Sequence, residues 1–565
     1  MSAHQTDDGT KPRSPTATEG EVVENTIAAF GYEPAYRRVL GKAAGICIVI
    51  ALAAPLGAIM VSGSYQIIFA GYWGLSWGWI IPNIMMIPQV IAVAELCSSM
   101  PVNGGFYWWA AALAPARSSR AFAFITGWFN ALAVATSLAA FAYSIAVGMS
   151  QTMTIATDGR YVGTLAEVMG MSMGIATVWA LVMLLRLETI NIIMMVTAAF
   201  LFLSCLGFII ALPITHSQLN MPFTTAANVF GSFQNSSDWP QTGIAVPFCF
   251  YAVLFVNSTW TSPAYVAEET RDAAREAPRA IVESFAWTSI LGLGVCLVFA
   301  FCINDLDAAI NDPTGYPLFT VLTNHWGQAP TSACLIISII FATIGGSGFL
   351  LTMSTQVAAF ARDGGLPYSP VLSRVHKRTS MPMNAGLLLL GLTYLFLLLA
   401  LNEDASDIVY SMASISSLII WITPTALRLF AGDRWVPGPF YTGRYSWYIH
   451  LVAVLASSYF LITRCIPPSA DTPPVNVVVV LVVLVVSIAA YFFASKNFPG
   501  LDLEALEAWR HENRHTVNGA DFAQVLRQSA PERPSAEGSS RELSPGEGPS
   551  REGSRREGNS KQRDD

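Results

Sequence analysis

Apolar runs of about 20 residues recur from residue 43 to residue 495, and that is the length an α-helix needs to cross roughly 30 Å of hydrocarbon. Inside lipid each backbone N–H and C=O must find a partner within the protein, so such runs fold as helices. Twelve are expected: 43–64, 75–96, 121–149, 168–186, 189–213, 244–267, 281–303, 330–359, 384–402, 406–430, 447–464 and 475–495. With 53% hydrophobic and only 12% charged residues, the chain reads as an all-α integral membrane protein rather than a string of soluble domains.

The basic residues give an orientation. Alternate loops carry Arg117, Arg120, Arg186, Arg271, Arg275, Arg279, Arg362, Arg374, Lys377, Arg378, Arg428, Arg434 and Arg444, whereas the intervening loops hold Arg160 and Arg464. Lys and Arg accumulate on cytoplasmic loops, so both termini are expected in the cytoplasm. Three regions follow: a disordered cytoplasmic tail over 1–42, a twelve-span membrane domain over 43–495, and a mostly disordered cytoplasmic tail over 496–565. The start is polar, without the apolar core of a secretory signal, so the first span is read as an uncleaved insertion signal. The cysteines fall almost all within spans at irregular spacing, which indicates neither a disulfide framework nor a metal site. The net charge of −7 comes largely from the tails, and no basic patch suggests nucleic-acid binding.

Some short patterns invite chemistry that their context does not support. His511, Glu512 and His515 match the HExxH zinc-hydrolase spacing, but they sit on a short amphipathic helix over 501–516 that leads into low-complexity sequence without a cleft or a third ligand. The expectation is no metal, no cofactor and no enzyme. The five lysines, Lys11, Lys42, Lys377, Lys496 and Lys561, fall on cytoplasmic segments or span ends, where ubiquitin machinery is an expected partner. Asn235 heads a glycosylation sequon in the outward loop 214–243.

Two spans interrupt themselves. Span six reads LFVNSTWTSPAYVAEETR over 254–271, placing Asn257, Ser258, Thr259, Trp260, Thr261 and Ser262 after only half a crossing. Span one reads ICIVIALAAPLGAIMVSGSY over 46–65, with Pro55, Leu56, Gly57 and Ala58 near mid-depth. An isolated Pro-x-Gly is commonly a kink, but interrupted helices at matched places in two five-span halves point to a midplane substrate site. Such a break bares backbone donors, and the partial positive charge of a half-helix N-terminus suits a carboxylate. Hydroxyls of the polar cluster are expected to take an amine, and Trp260 offers a face to a cation or serves as a gate. Glu95, Glu268 and Glu269 lie at cytoplasmic span ends beside Arg271, Arg362 and Asp363, and are read as gating or structural ion pairs, with proton handling as the other reading. Gly345–Gly348 reads as a place of close helix approach.

Three stretches carry a resemblance: AELCSSMPVNGGFYWWAAALAP at 94–115, EETRDAAREAPRAI at 268–281 and FARDGGLPYSPVLSRVHKRTSMPMNA at 360–385. Together they resemble the fungal amino acid/choline transporter family of the amino acid–polyamine–organocation superfamily, over roughly residues 40–495. The resemblance implies a leucine-transporter-like fold, a 5+5 inverted repeat plus two extra helices, and proton-driven import of small amines or zwitterions at the plasma membrane, with the vacuolar membrane as the alternative. It also implies binding positions at Pro55–Ala58 and Asn257–Ser262. The chain departs from the family pattern at Thr261 and Tyr265, where relatives carry an Asp and a His, and at Thr355, where many carry an Arg. Loss of the acidic residue favours an amino acid or 4-aminobutyrate-like zwitterion over a strong cation. A choline or quaternary amine carrier and a non-transporting nutrient receptor remain the alternatives.

Overall fold

The computed structural model describes residues 30, 32, 36–376, 379–399, 403–467, 475–494 and 498–514. Most of both tails, with Lys11, Lys377, Lys496, Lys561 and His515, lies outside the described residues. The rest is almost wholly helical; the β-structure among the described residues is two isolated bridges, Leu40 to Thr270 and His376 to Met381.

Among the described residues, nine helices are long and apolar enough to cross a membrane, and three shorter apolar helices accompany them at Lys42–Ala53, Met383–Leu398 and Val480–Phe493. Large apolar side chains such as Ile192, Leu203, Ile210, Val485 and Phe493 lie exposed along these helices, as a lipid-facing surface requires. The longest helix, Pro55–Ser99, has 45 residues, about 67 Å at 1.5 Å per residue. It leaves helical geometry at Gly71 (φ 59°, ψ −137°), a backbone conformation that only glycine adopts without strain.

The core is helix against helix, built from small residues and aromatics. In Gln328–Arg362, a Cβ on Gly345 would stand 2.5 Å from the Ala51 carbonyl oxygen, and one on Gly346 would stand 2.4 Å from Trp179. Glycine therefore lets this helix lie directly on the end of Lys42–Ala53. The described N- and C-terminal segments meet on one end of the bundle: Phe30 packs between Trp108 and Trp509, each at 4.9 Å, and Arg510 of the Leu503–Arg514 helix bonds the Ala112 carbonyl. We call this the terminal end.

Candidate functional site

Lys42–Ala53 stops where Ala54 turns left-handed (φ 36°, ψ 59°) and Pro55 begins the next helix. A residue with a Cβ sits in that region at a cost of about 1–2 kcal/mol, so the packing around Ala54 must hold it there. Pro55 suits the first helical position because it has no amide to orphan and its φ is preset. Gly57 follows as a first-turn donor of the kind a helix leaves without an internal partner, and it is exposed, with nothing within 4 Å of a Cβ position.

The polar cluster of the Thr242–Tyr265 segment behaves differently. Instead of unwinding, Tyr251–Val256 tightens into a 3₁₀ turn at Asn257–Thr261 and resumes at Ser262–Tyr265. Tighter bonding keeps the amides paired while turning the side chains to new directions. This segment therefore contributes hydroxyls, and the bare backbone donors expected of it are confined to the other interruption.

A cavity of about 40 Å³ lies between the two interruptions, lined by Ala58, Ser258 and Thr259 and, from other helices, by Ser137, Phe141, Ser414, Tyr410 and Trp421. A second, of about 70 Å³, adjoins Leu56, Gly57, Ala58, Cys205 and Phe319. Away from the terminal end opens a vestibule of about 360 Å³, lined by Ser62, Tyr65, Tyr143, Tyr251, Tyr316 and Tyr410. Phe255 lines all three. None of the described residues lining these spaces is charged. The first holds no more than a few waters, so a larger guest enters only if Phe255 and Tyr410 move.

The expected binding residues divide around this space. Leu56, Gly57, Ala58, Ser258 and Thr259 line it, and the buried Thr259 Oγ1 has no hydrogen-bond partner. Pro55 is buried at the interruption itself. Asn257 turns away, its Nδ2 donating to Asn83 Oδ1 at 2.6 Å and to Ser289 Oγ at 3.1 Å. Trp260 is fully buried behind Trp421, with ring centroids 5.1 Å apart, so it is Trp421 that faces the cavity. The Thr261 hydroxyl donates to the Ser258 carbonyl at 3.3 Å, and Ser262 is buried.

The terminal end holds the charges. Arg362 grips Glu268 bidentately at 3.0 and 3.1 Å and lies 4.0 Å over the Tyr32 ring. Asn103 joins both acids: its amide donates to Glu268 Oε1 at 3.0 Å and its Nδ2 to Glu269 Oε2 at 2.9 Å. Tyr107 and Tyr32 donate to Asp363 Oδ2 at 2.9 and 3.2 Å. Burial pushes the Asp363 carboxyl up to about 6 although Arg362 and both tyrosines oppose the shift. It pushes Glu269 up to about 8, with Asn103 opposing and Glu268 adding to the rise. Two bonds lace the chain before the first helix to this cluster: the Leu40 amide donates to the Glu269 carbonyl at 3.0 Å and the Arg271 amide to the Leu40 carbonyl at 2.8 Å. The Arg271 side chain bonds the Arg38 carbonyl. Glu95 stands apart and accepts from Thr442 and Ser446, at the start of Ser446–Arg464, with His450 Nδ1 at 3.7 Å.

Residues 36–488 match the family model described as amino acid permease. The chain belongs to the amino acid permease family. Its relatives include an uncharacterized amino-acid permease of Schizosaccharomyces pombe, 30% identical over 75% of this chain and 78% of the relative. The GABA-specific permease of Saccharomyces cerevisiae is 30% identical over 74% of each chain. An amino-acid permease of Arabidopsis thaliana is 25% identical over 86% of this chain and 96% of its own length. This permease is thus a membrane transporter and not an enzyme.

At Thr355 and Tyr265 the permease makes neutral contacts. Thr355 Oγ1 donates to the Tyr265 carbonyl at 2.7 Å, and the Tyr265 hydroxyl reaches Asn130 at 3.4 Å. Asn235 forms a local turn, accepting from the Ser237 amide and hydroxyl and donating to the Trp239 carbonyl at 2.6 Å. Tyr410 and Trp421 were not expected at the site, because nothing in their own apolar helix marks them. Asn103 and Tyr107 lie inside the motif at 94–115, which was their available signal.

Proposed function

We propose that this permease imports an amino acid or a 4-aminobutyrate-like zwitterion, coupled to protons, by alternating access. The observation that carries the reading is the uncharged cavity between the Pro55 helix start and the Asn257–Thr261 turn. The helix start supplies partial positive charge and the Gly57 amide for a carboxylate. The Thr259 and Tyr410 hydroxyls and the Trp421 face suit the amine end. A lining without a formal charge matches a guest whose own charges sum to zero, and the relative named for GABA is consistent with that class.

The finer architecture follows the same reading. Lys42–Ala53 with the part of Pro55–Ser99 before Gly71 makes one crossing and the part after it a second; the other eight long helices with Met383–Leu398 and Val480–Phe493 complete twelve, in two five-helix halves plus two. The basic loops on the terminal end support a cytoplasmic position for that end in a plasma-membrane protein, with ubiquitin machinery as the partner of its cytoplasmic lysines. The coupling proton resides on Glu269, whose buried carboxyl is held near neutrality next to the Glu268–Arg362 pair.

The aromatic lining of Phe141, Tyr410 and Trp421 also suits a quaternary amine, which makes choline the rival substrate. The deciding experiment is uptake by vesicles carrying the purified permease, under an inward proton gradient, with labelled amino acids, 4-aminobutyrate and choline. Concentrative uptake of a zwitterion that collapses with the gradient and weakens in Thr259→Val supports the proposal. Choline uptake moves the protein to the rival class, and binding without accumulation makes it a receptor.

A further inference from the structure

At the end of the bundle away from the termini, three helices bring together side chains that the transport site does not use. His216 lies in the last turn of Leu187–Gln218, Cys302 closes Ala273–Cys302, and His325 lies in the last turn of Pro317–Trp326. All three are buried, and their donor atoms lie within 4.8 Å of one another.

The contacts around the rings fix where their protons sit. His216 Nε2 faces the Pro222 carbonyl at 3.2 Å, and His325 Nδ1 faces the Val321 carbonyl at 2.7 Å. A carbonyl only accepts, so in each neutral ring that nitrogen carries the proton. His216 Nδ1 and His325 Nε2 are then two lone-pair donors facing each other at 2.7 Å. Such a pair is repulsive unless a cation lies between them, and the nearby Cys302 sulfur adds the donor that distinguishes a metal ion from a shared proton.

We propose that His216, His325 and Cys302 form a binding site for a divalent transition metal ion of the Zn²⁺ type. Imidazole nitrogen at about 2.0–2.1 Å and thiolate at about 2.3 Å are its preferred ligands. Two such nitrogens on a tetrahedral ion stand about 3.3 Å apart, so the rings separate by only a fraction of an ångström to admit it. The carbonyls of Pro222 and Val321 orient the rings as outer partners orient metal-ligating histidines. A cavity of about 190 Å³, lined by Cys302 and His325 together with Asp305 and Asp312, adjoins the cluster. It provides an access route with anionic walls and room for water in the fourth position.

Binding has a mechanical consequence. Pro317–Trp326 carries Phe319 beside the cavity at Pro55, and Tyr316, which precedes it, lines the vestibule. A bound ion ties this segment to the ends of two other helices and holds it in one arrangement, so Zn²⁺ arriving from this side slows transport.

The test uses the full-length protein, with Zn²⁺ titrated against a chromophoric chelator and Co²⁺ as a spectroscopic probe. One ion per chain is expected, with a thiolate-to-Co²⁺ charge-transfer band that is lost in Cys302→Ser and at least ten-fold weaker Zn²⁺ binding in His325→Gln. Zn²⁺ added on the face away from the termini slows uptake several-fold in the parent protein, and a chelator reverses the effect. Both variants should keep their metal-free uptake and lose the Zn²⁺ effect, so that a folding defect is told apart from a missing ligand. Absence of stoichiometric binding overturns the proposal, as does a Co²⁺ complex without the thiolate band. Binding that persists unchanged in both variants, as it would if the tail histidines held the ion, also overturns it.

Discussion

The two ends of the helix bundle are closed by different physics. At the terminal end, closure is ionic and directional: Arg362, Glu268, Asn103, Glu269, Asp363 and two tyrosines form one buried network. At the other end, the path from the vestibule to the inner cavity is narrowed by the rings of Phe255 and Tyr410, with the Tyr410 hydroxyl 2.7 Å from Ser144 Oγ. A ring moves by changing rotamer and forfeits about one net hydrogen bond, roughly 1 kcal/mol. A buried bidentate ion pair opens only if both charges find water together, because separating them in place costs several kcal/mol. Access is therefore expected to change easily at the aromatic end and cooperatively at the ionic end.

The sharpest way to break this contrast is Arg362→Ala. It strands the Glu268 carboxylate, which is only 3% exposed, and the expected loss is about 3–5 kcal/mol for the closed terminal end. Uptake should collapse, and cysteines introduced near Asn103 should become reactive from the terminal side. Adding Glu268→Gln should restore part of the closure. If the double variant is no better than the single one, the pair does not act as a unit.

Glu269→Gln tests the same end through pH. The folded-state carboxyl is raised from about 4.5 to about 8, so the closed arrangement binds the proton more tightly than an opened, hydrated one. Its advantage is full below about pH 4.5, erodes as pH rises and is gone above about pH 8. Thiol accessibility from the terminal side should increase several-fold across that window, and Glu269→Gln should flatten the profile near its low-pH level. A profile unchanged in the variant places the titrating group elsewhere.

The aromatic end should respond more weakly. Tyr410→Phe removes the bond to Ser144 for about 1 kcal/mol, which predicts a change of about five-fold in KM with the terminal-side accessibility unaffected. Smallest is Ala54→Gly, which relieves the left-handed strain in the folded state but loosens the unfolded chain, for a net change of about 1 kcal/mol or less in thermal stability. A large loss of uptake in that variant would show that the cavity depends on a stiff interruption.

Much of this contrast was legible in the sequence. Apolar length gave the helices, Pro55 after Ala54 gave the interruption, and acids and arginines at span ends gave the membership of the ionic cluster. The partners were not legible, because they depend on which helices lie side by side. Glu95 looks like another gating acid, but packing delivers it to the Thr442 amide and hydroxyl and to the Ser446 hydroxyl, apart from the ionic cluster. Asn257–Thr261 looks like an unwound stretch, but buried amides favour the 3₁₀ turn that keeps them bonded. Tyr410 and Trp421 reach the cavity only through tertiary packing, and His216 and His325 are 109 residues apart, with no spacing rule to join them.

The packing of Phe30 against both Trp108 and Trp509 also has a meaning for biosynthesis. Phe30 is among the first of these residues to leave the ribosome and Trp509 among the last, so the three-ring cluster forms only after every helix between them has been made. Completion of the chain is thereby written into the terminal end: a chain that stops before Leu503 presents Phe30 and Trp108 uncovered, an apolar mark by which an unfinished product differs from a finished one.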